Sequence, residues 1–360
     1  MLSTKLTLMA GLLAGSAAIP ALAAAPMRFD VTAIGVFNPS GINNLGQISG
    51  WITSRGSPSA ALYDGSKLAS LGAPAGGSYA YGLNDMGEVV GAYGNSQAFR
   101  YAQNAFSAIG AGGGTAYAVN NASQIVGTMD VAGSRHAFLY SGDKLIDLAA
   151  GQGTGAGAGS IAYGVTERGK VVGAKWDSEF AEWHAFIYAN GVTTDLSGAV
   201  PGFSRALAAN DRGEVIVNVD NGGPGNRATY LYANGVATEL GDLGQTETSA
   251  TDINSAGFVV GTGANLDADY GTGGFIWHNG VMRELTTLIN PASGWTITRA
   301  IGINDNNQIA AFGCRLGGGC QALLLNMQAQ PVPEPSTLAM LAGGLALIGH
   351  ALRRRRRAAA

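Results

Sequence analysis

The 360-residue chain predicts an all-β fold, a β-propeller of seven four-stranded blades, and three observations carry that expectation. A turn element opening on asparagine recurs seven times. Successive copies lie about 44 residues apart, the length of one propeller blade. A lone strand precedes the first copy, and the last copy lacks a strand.

The turn element reads apolar-Asn-x-x-Gly-x-apolar-Val-Gly. It occupies residues 42–50 and 83–91, then 119–127 with Ser123 at the glycine position, and 165–173 with Thr166 at the asparagine position. Looser copies follow at 209–217, 253–261 and 303–311. Counted at positions 46, 87, 123, 169, 213, 257 and 307, the steps are 41, 36, 46, 44, 44 and 50 residues. Asparagine starts a turn by bonding its side chain to the backbone ahead, and glycine supplies a positive φ. The Val-Val or Ile-Val that follows has the composition of a buried strand.

A third strand comes next, as in His136-Ala137-Phe138-Leu139-Tyr140 and His184-Ala185-Phe186-Ile187-Tyr188, with weaker copies at 98–101, 229–232 and 275–277. Asn190-Gly191, Asn234-Gly235 and Asn279-Gly280 are two-residue hairpin turns. A fourth strand then ends in Asp147-Leu148, Asp195-Leu196, Glu239-Leu240 or Glu284-Leu285. Repeat seven has its hairpin and a third strand at 322–325 but no fourth, while residues 29–35 form an orphan strand. Pairing the two closes the ring and removes its exposed edges. An open β-solenoid or another blade count is the alternative.

Composition narrows the classes. Glycine, at 56 residues, is enriched without a Gly-X-Y period, which excludes collagen. With 46% hydrophobic and 12% charged residues, the chain is not disordered throughout. Residues 26–328 hold 15 basic and 23 acidic side chains, a net charge of −8. An acidic body without basic clusters argues against a nucleic-acid partner. Cys314 and Cys320, separated by Arg-Leu-Gly-Gly-Gly, read in an exported chain as a local disulfide.

The two ends are addresses. Residues 1–25 combine Lys5, an apolar stretch at 6–18 and the small residues Ala21-Leu22-Ala23, the plan of a secretory signal cut by signal peptidase. After the repeat body at 26–328, residues 329–336 form a proline-rich stalk containing Pro333, Glu334 and Pro335. Residues 337–352 are expected to be a single transmembrane helix, and 353–360 a basic cytoplasmic tail with Arg353, Arg354, Arg355, Arg356 and Arg357 stopping transfer. The apolar stretch 338–352 spans about 22 Å as a helix, short of a roughly 30 Å hydrocarbon core, which arginine snorkelling can bridge.

Pro-Glu-Pro, an apolar helix and an arginine cluster, in that order over about the last 29 residues, resemble the PEP-CTERM sorting signal. The resemblance implies export by a Gram-negative bacterium and transient anchoring in the membrane. An exosortase-type membrane peptidase would recognise Pro333, Glu334 and Pro335 and remove the tail, delivering the body to the surface or outside. Many such bacteria make extracellular polysaccharide, which makes polysaccharide an expected partner. The His-Ala-Phe strands beside the Asn-x-x-Gly turns resemble the HAF extracellular repeats across most of 29–326, a likeness tied to location and repeat structure more than to activity.

No catalytic, cofactor or metal site is expected. His136 and His184 occupy equivalent repeat positions, which repeat structure explains without convergence, and His278 sits beside a turn. The acids before the repeat leucines suit turn bonding or solvent exposure. Asn265 to Gly271 has a calcium-loop rhythm, but its glycine is one place late and Ile276 stands where the bidentate glutamate belongs. The glycine run 151–159 lacks the Lys-Ser/Thr of a phosphate loop. The expectation is a non-catalytic surface or matrix protein. The alternative is a polysaccharide-active hydrolase or lyase with carboxylates or histidines from several blades meeting at the channel.

Overall fold

The computed structural model describes residues 27–54, 56–72, 76–149, 159–200, 202–220, 227–244, 247–264 and 271–328. Residues 28–328 form one compact unit. The signal 1–25, the motif Pro333 to Pro335, the expected span 337–352 and Arg353 to Arg357 lie outside the described residues. Among the described residues no helix is long and apolar enough to cross a membrane.

The body is seven four-stranded antiparallel sheets, each consecutive in the chain except the last. Blades 1 to 6 cover 38–70, 78–108, 114–147, 160–195, 204–239 and 248–284. Blade 7 takes three strands from 295–327 and its outermost from Phe29–Gly35, which pairs antiparallel with Gly319–Met327 from Phe29↔Met327 to Gly35↔Ala322. The ring therefore closes through the N-terminal strand. Gln328 N donates to Arg28 O at 2.8 Å, extending the seam. Two 3₁₀ turns, Leu285–Leu288 and Pro291–Ser293, join blades 6 and 7 and carry no signal in the repeat pattern.

The repeat residues act as matched pairs. The motif glycine of the second strand faces the third-strand phenylalanine directly: Gly91↔Phe99, Gly127↔Phe138, Gly173↔Phe186 and Gly261↔Phe275. A Cβ on Gly91 would overlap Tyr79 O of the first strand and crowd the Phe99 ring at 2.9 Å, so the close first strand and the aromatic both use the space of the missing side chain. Where glycine is absent the phenylalanine is absent too, as in Val217↔Tyr230 and Ala311↔Leu323. The four phenylalanines are fully or almost fully buried, each stabilising its blade by about 1.5–3 kcal/mol. The Asn-Gly turns have positive φ at both central residues, 51° and 82° at Asn190-Gly191, as tight hairpins require.

The asparagines do more than open turns. Asn84 Oδ1 accepts from Met86 N (3.1 Å) and Glu88 N (3.0 Å). Its Nδ2 donates to Glu88 Oε2 (2.6 Å) and, across the blade boundary, to Asn120 O (3.0 Å). The same bond joins Asn43 to Asn84 (2.9 Å), Asn120 to Thr166 (2.9 Å), Asn210 to Asn254 (3.0 Å), Asn254 to Asn304 (3.0 Å) and Asn304 to Asn43 (2.8 Å). A buried amide circuit thus runs around the ring, each link worth about 0.5–1.5 kcal/mol.

It breaks at blade 4. Thr166 has no amide to donate, and its Oγ1 accepts from Lys170 N at 3.2 Å. Lys170 stands where Gln47, Glu88, Gln124, Glu214 and Gln308 accept the amide in other blades. Donor and acceptor are lost together.

Candidate functional site

The innermost strand of every blade borders a central channel of about 300 Å³. In each of these strands the pairing register slips by one residue, as between Ala80 and Gly82 or Ala116 and Ala118. The slipped residue lies on the channel wall. In blades 2, 3 and 4 it is Tyr81, Tyr117 and Tyr163; elsewhere it is Ser40, Leu207, Thr251 or Ile301. The alanine before it is fully buried in blades 2 to 7, letting neighbouring sheets approach.

The three tyrosines form an aromatic arc. Ring centroids are 5.5 Å apart from Tyr81 to Tyr117 and 5.7 Å from Tyr117 to Tyr163. Tyr79 stacks on Tyr81 at 6.4 Å, and Trp51 meets Tyr79 edge-on at 5.5 Å. Burial comes first among the causes that raise the phenols of Tyr81 and Tyr163 above the ordinary value; Tyr117 adds to it, and Arg205 opposes it at Tyr163.

The end of the channel beside the asparagine turns is acidic. Asp85, Glu167, Asp211 and Asp305 occupy the position after the turn asparagine or Thr166 and line the same mouth. Each also links blades. Asp85 Oδ1 accepts from Asn44 N (2.8 Å), Glu167 Oε2 from Asn121 N (3.0 Å), Asp211 Oδ1 from Arg168 N (3.3 Å) and Asp305 Oδ1 from Ser255 N (2.8 Å). Burial, and then the charges of Asp211, Asp85 and Asp305, push the Glu167 carboxyl up against the backbone bond from Asn121.

Deeper in the wall, burial pushes Asp252 up to about 7, although Ile303 N and Ile253 N donate to it at 2.9 and 2.8 Å. Among the described residues no three His, Cys, Asp or Glu side chains are grouped to hold a metal ion.

The acids that meet at one mouth, as the alternative reading would need, come from the turns and not from the acids before the repeat leucines. Those acids bond turns, as Asp147 Oδ1 does to Ala149 N (2.8 Å) and Asp195 Oδ1 to Ser197 N (2.8 Å).

The histidines stay within their blades. His136 Nδ1 lies 2.8 Å from Asp147 Oδ2, leaving buried Nε2 unpartnered. His184 Nε2 lies 3.1 Å from Glu182 Oε1; Lys175, at 2.7 Å from Asp195, holds the acid equivalent to Asp147. His278 stacks on Phe258 at 3.8 Å. Cys314 and Cys320 are directly paired across the last hairpin and joined by a disulfide, S–S 2.04 Å. The calcium-like stretch 265–270 and glycines 151–158 lie outside the described residues. A second cavity, about 550 Å³, opens between blades 5 and 6 beside Phe203, Arg205 and the Arg227–Asp220 pair (3.2 Å).

The sequence reading missed the tyrosines and the rim acids. Both had a signal. Tyrosine stands three places before the turn asparagine or Thr166 in three successive repeats, and an acid stands one place after it in four.

The fold and channel define a closed seven-bladed β-propeller with an acidic mouth. Residues 331–357 match the PEP-CTERM protein-sorting motif, which implies export, exosortase processing and sorting to the cell surface. No curated protein matches the sequence.

Among solved structures, "YCF48 bound to D1 peptide" aligns at TM-score 0.51 and 10% identity, over 86% of this chain and 97% of that one. The β-propeller domain of the Trilobed protease from Pyrococcus furiosus aligns at 0.49 and 8% identity, over 83% and 100%. A putative TolB from Agrobacterium tumefaciens aligns at 0.44 and 10% identity, over 84% and 99%. At these identities the likeness concerns the fold alone.

Proposed function

We propose that the chain is a surface or extracellular-matrix protein whose propeller is a non-catalytic module associating with polysaccharide. The observation that carries this reading is the sorting motif at 331–357, joined to a ring whose recurrent polar side chains are spent on blade-to-blade bonds. Signal peptidase removes 1–25, the span 337–352 holds the body outside the cytoplasm for a time, and an exosortase then releases it.

Fractionation of producing cells tests the sorting half. The wild-type body is expected outside the cytoplasm without its tail. Replacing Pro333, Glu334 and Pro335 with alanine should leave it membrane-bound and full length. Wild type found in the cytosol with its tail intact would sink the proposal.

A second reading, an extracellular polysaccharide hydrolase or lyase, draws on the rim carboxylates and on Asp252, whose carboxyl is poised near neutrality. It expects new reducing ends or unsaturated products from polysaccharide. Loss of that product in Asp252→Asn would favour it over the non-catalytic reading.

A further inference from the structure

The tyrosine arc answers to nothing in the architecture. Its three slipped positions hold serine, leucine, threonine and isoleucine in the other blades, so ring closure accepts small or aliphatic side chains there. The three rings of the arc, and Tyr79 and Trp51 beside it, keep accessible surface. The hydroxyls of Tyr81, Tyr117 and Tyr163 make no hydrogen bond to a described residue. By contrast, Ser40 and Thr251, in the same register, donate to Ala80 O (2.7 Å) and Ala300 O (3.0 Å). Three aromatic faces and three hydroxyls stand side by side along one wall of the channel.

We infer that this arc, entered past Trp51 and Tyr79, binds a neutral or amino-sugar glycan chain, an assignment that rests on the polysaccharide reading above. A pyranose ring has apolar C–H faces and a hydroxylated edge. Stacked aromatic rings match the faces, and tyrosine hydroxyls match the edge.

Charge selects the class. From the tyrosines to the turn mouth the lining residues include Asp85, Glu167, Asp211, Asp252 and Asp305 and no basic side chain, so that end repels a polyanion and draws in an amino sugar, while Arg205 acts on Tyr163 from the other end. Size agrees: about 300 Å³ sits at the small end of ligand sites, room for one or two sugar rings and not for a folded segment. A peptide adding as a strand is disfavoured, because the register slip at each tyrosine interrupts the free edge such pairing needs.

The test titrates the full chain, in mild detergent, with three hexasaccharides: neutral glucose, glucosamine and a uronic acid. Tryptophan fluorescence and calorimetry report binding. The first two are expected to bind and the third not. Tyr117→Ala and Tyr81→Ala should each weaken binding by about tenfold or more, Tyr117→Phe by less, and Phe180→Ala not at all. Urea midpoints establish that each variant is folded.

Unchanged affinity in both folded alanine variants, or uronate binding as tight as glucose, overturns the assignment. Co-sedimentation of the full chain with insoluble cell-surface polysaccharide separates the two failures. Wild type that sediments but binds no hexasaccharide ends the arc assignment alone. Wild type that does neither ends the polysaccharide reading with it.

Discussion

On one face of the propeller the connections repeat; on the other they vary. Between first and second strands the turn face uses five residues in blades 1 to 6 and four in blade 7. Its outer turns are two residues long in blades 2 to 6. On the opposite face, connections between second and third strands run from two residues in blade 1 to seven in blade 6. Those between blades run from two, at Val36-Phe37, to twelve. The turn face carries the amide circuit, so a change in one blade breaks a bond to the next. Toward the other face the recurrent blade-to-blade bonds run between strands, from Ala60 N to Ser78 Oγ (2.9 Å), Ala137 N to Ser160 Oγ (2.8 Å) and Ala185 N to Ser204 Oγ (3.0 Å), and not between turns. There Phe180 and Leu316 are exposed, and arginines stack on aromatics, Arg315 over Trp295 at 4.2 Å and Arg299 over Phe312 at 5.0 Å. In repeat proteins the face that varies is the one free to bind.

The sharpest way to break this contrast is Asn304→Ala. It removes bonds to Asn43 O, Gln308 Oε1, Asn306 N and Gln308 N, the first of them across the boundary between blades 7 and 1. Urea unfolding should show a loss of about 3 kcal/mol. A loss under about 1 kcal/mol would mean that the circuit does not hold the ring.

Asp252 comes next. Its folded pKa, about 7, lies above the ordinary 3.8, so its contribution is fully present below the ordinary value and lost as pH climbs through the folded one. Relative to Asp252→Asn, wild type should lose on the order of 2 kcal/mol between about pH 4 and 8, less than full burial would give because part of the side chain faces the channel. Parallel pH profiles for the two proteins would contradict this.

Reducing Cys314–Cys320 should cost about 1–2 kcal/mol, since the bridge closes a short hairpin whose strands already pair on both sides of it. Thr166→Asn combined with Lys170→Gln restores donor and acceptor to blade 4 and should add about 1 kcal/mol. Either change alone should add less. Leu316→Ser, at a side chain 85% exposed on the loop face, should move stability by less than about 0.5 kcal/mol.

Blade boundaries, strand order and ring closure were legible because each depends on local chemistry: a turn asparagine, a positive-φ glycine, an alternating apolar strand. The orphan segment 29–35 found its partner by counting strands. What stayed hidden depends on neighbours about 40 residues away. Asn84 reads as a turn former; that its amide reaches Asn120 O follows only once blades stand side by side. Asp85 and Asp305 look like ordinary turn acids until seven turns meet at one mouth. Tyr117 looks like a core residue until its register slips. The pairing of glycine with phenylalanine lies between these cases: it is visible in the sequence in blades 2, 3, 4 and 6, and Gly50 of blade 1 faces Ala61 instead.

The seam has a mechanical consequence. The strand Gly319–Met327, from which the sorting tail continues, is interior to its sheet, with Phe29–Gly35 on one side and Gln308–Arg315 on the other. A pull transmitted along the tail is shared by two ladders, where an edge strand would peel from one. Cleavage beyond Gln328 takes nothing from either ladder, so the blade's pairing outlasts loss of the tail.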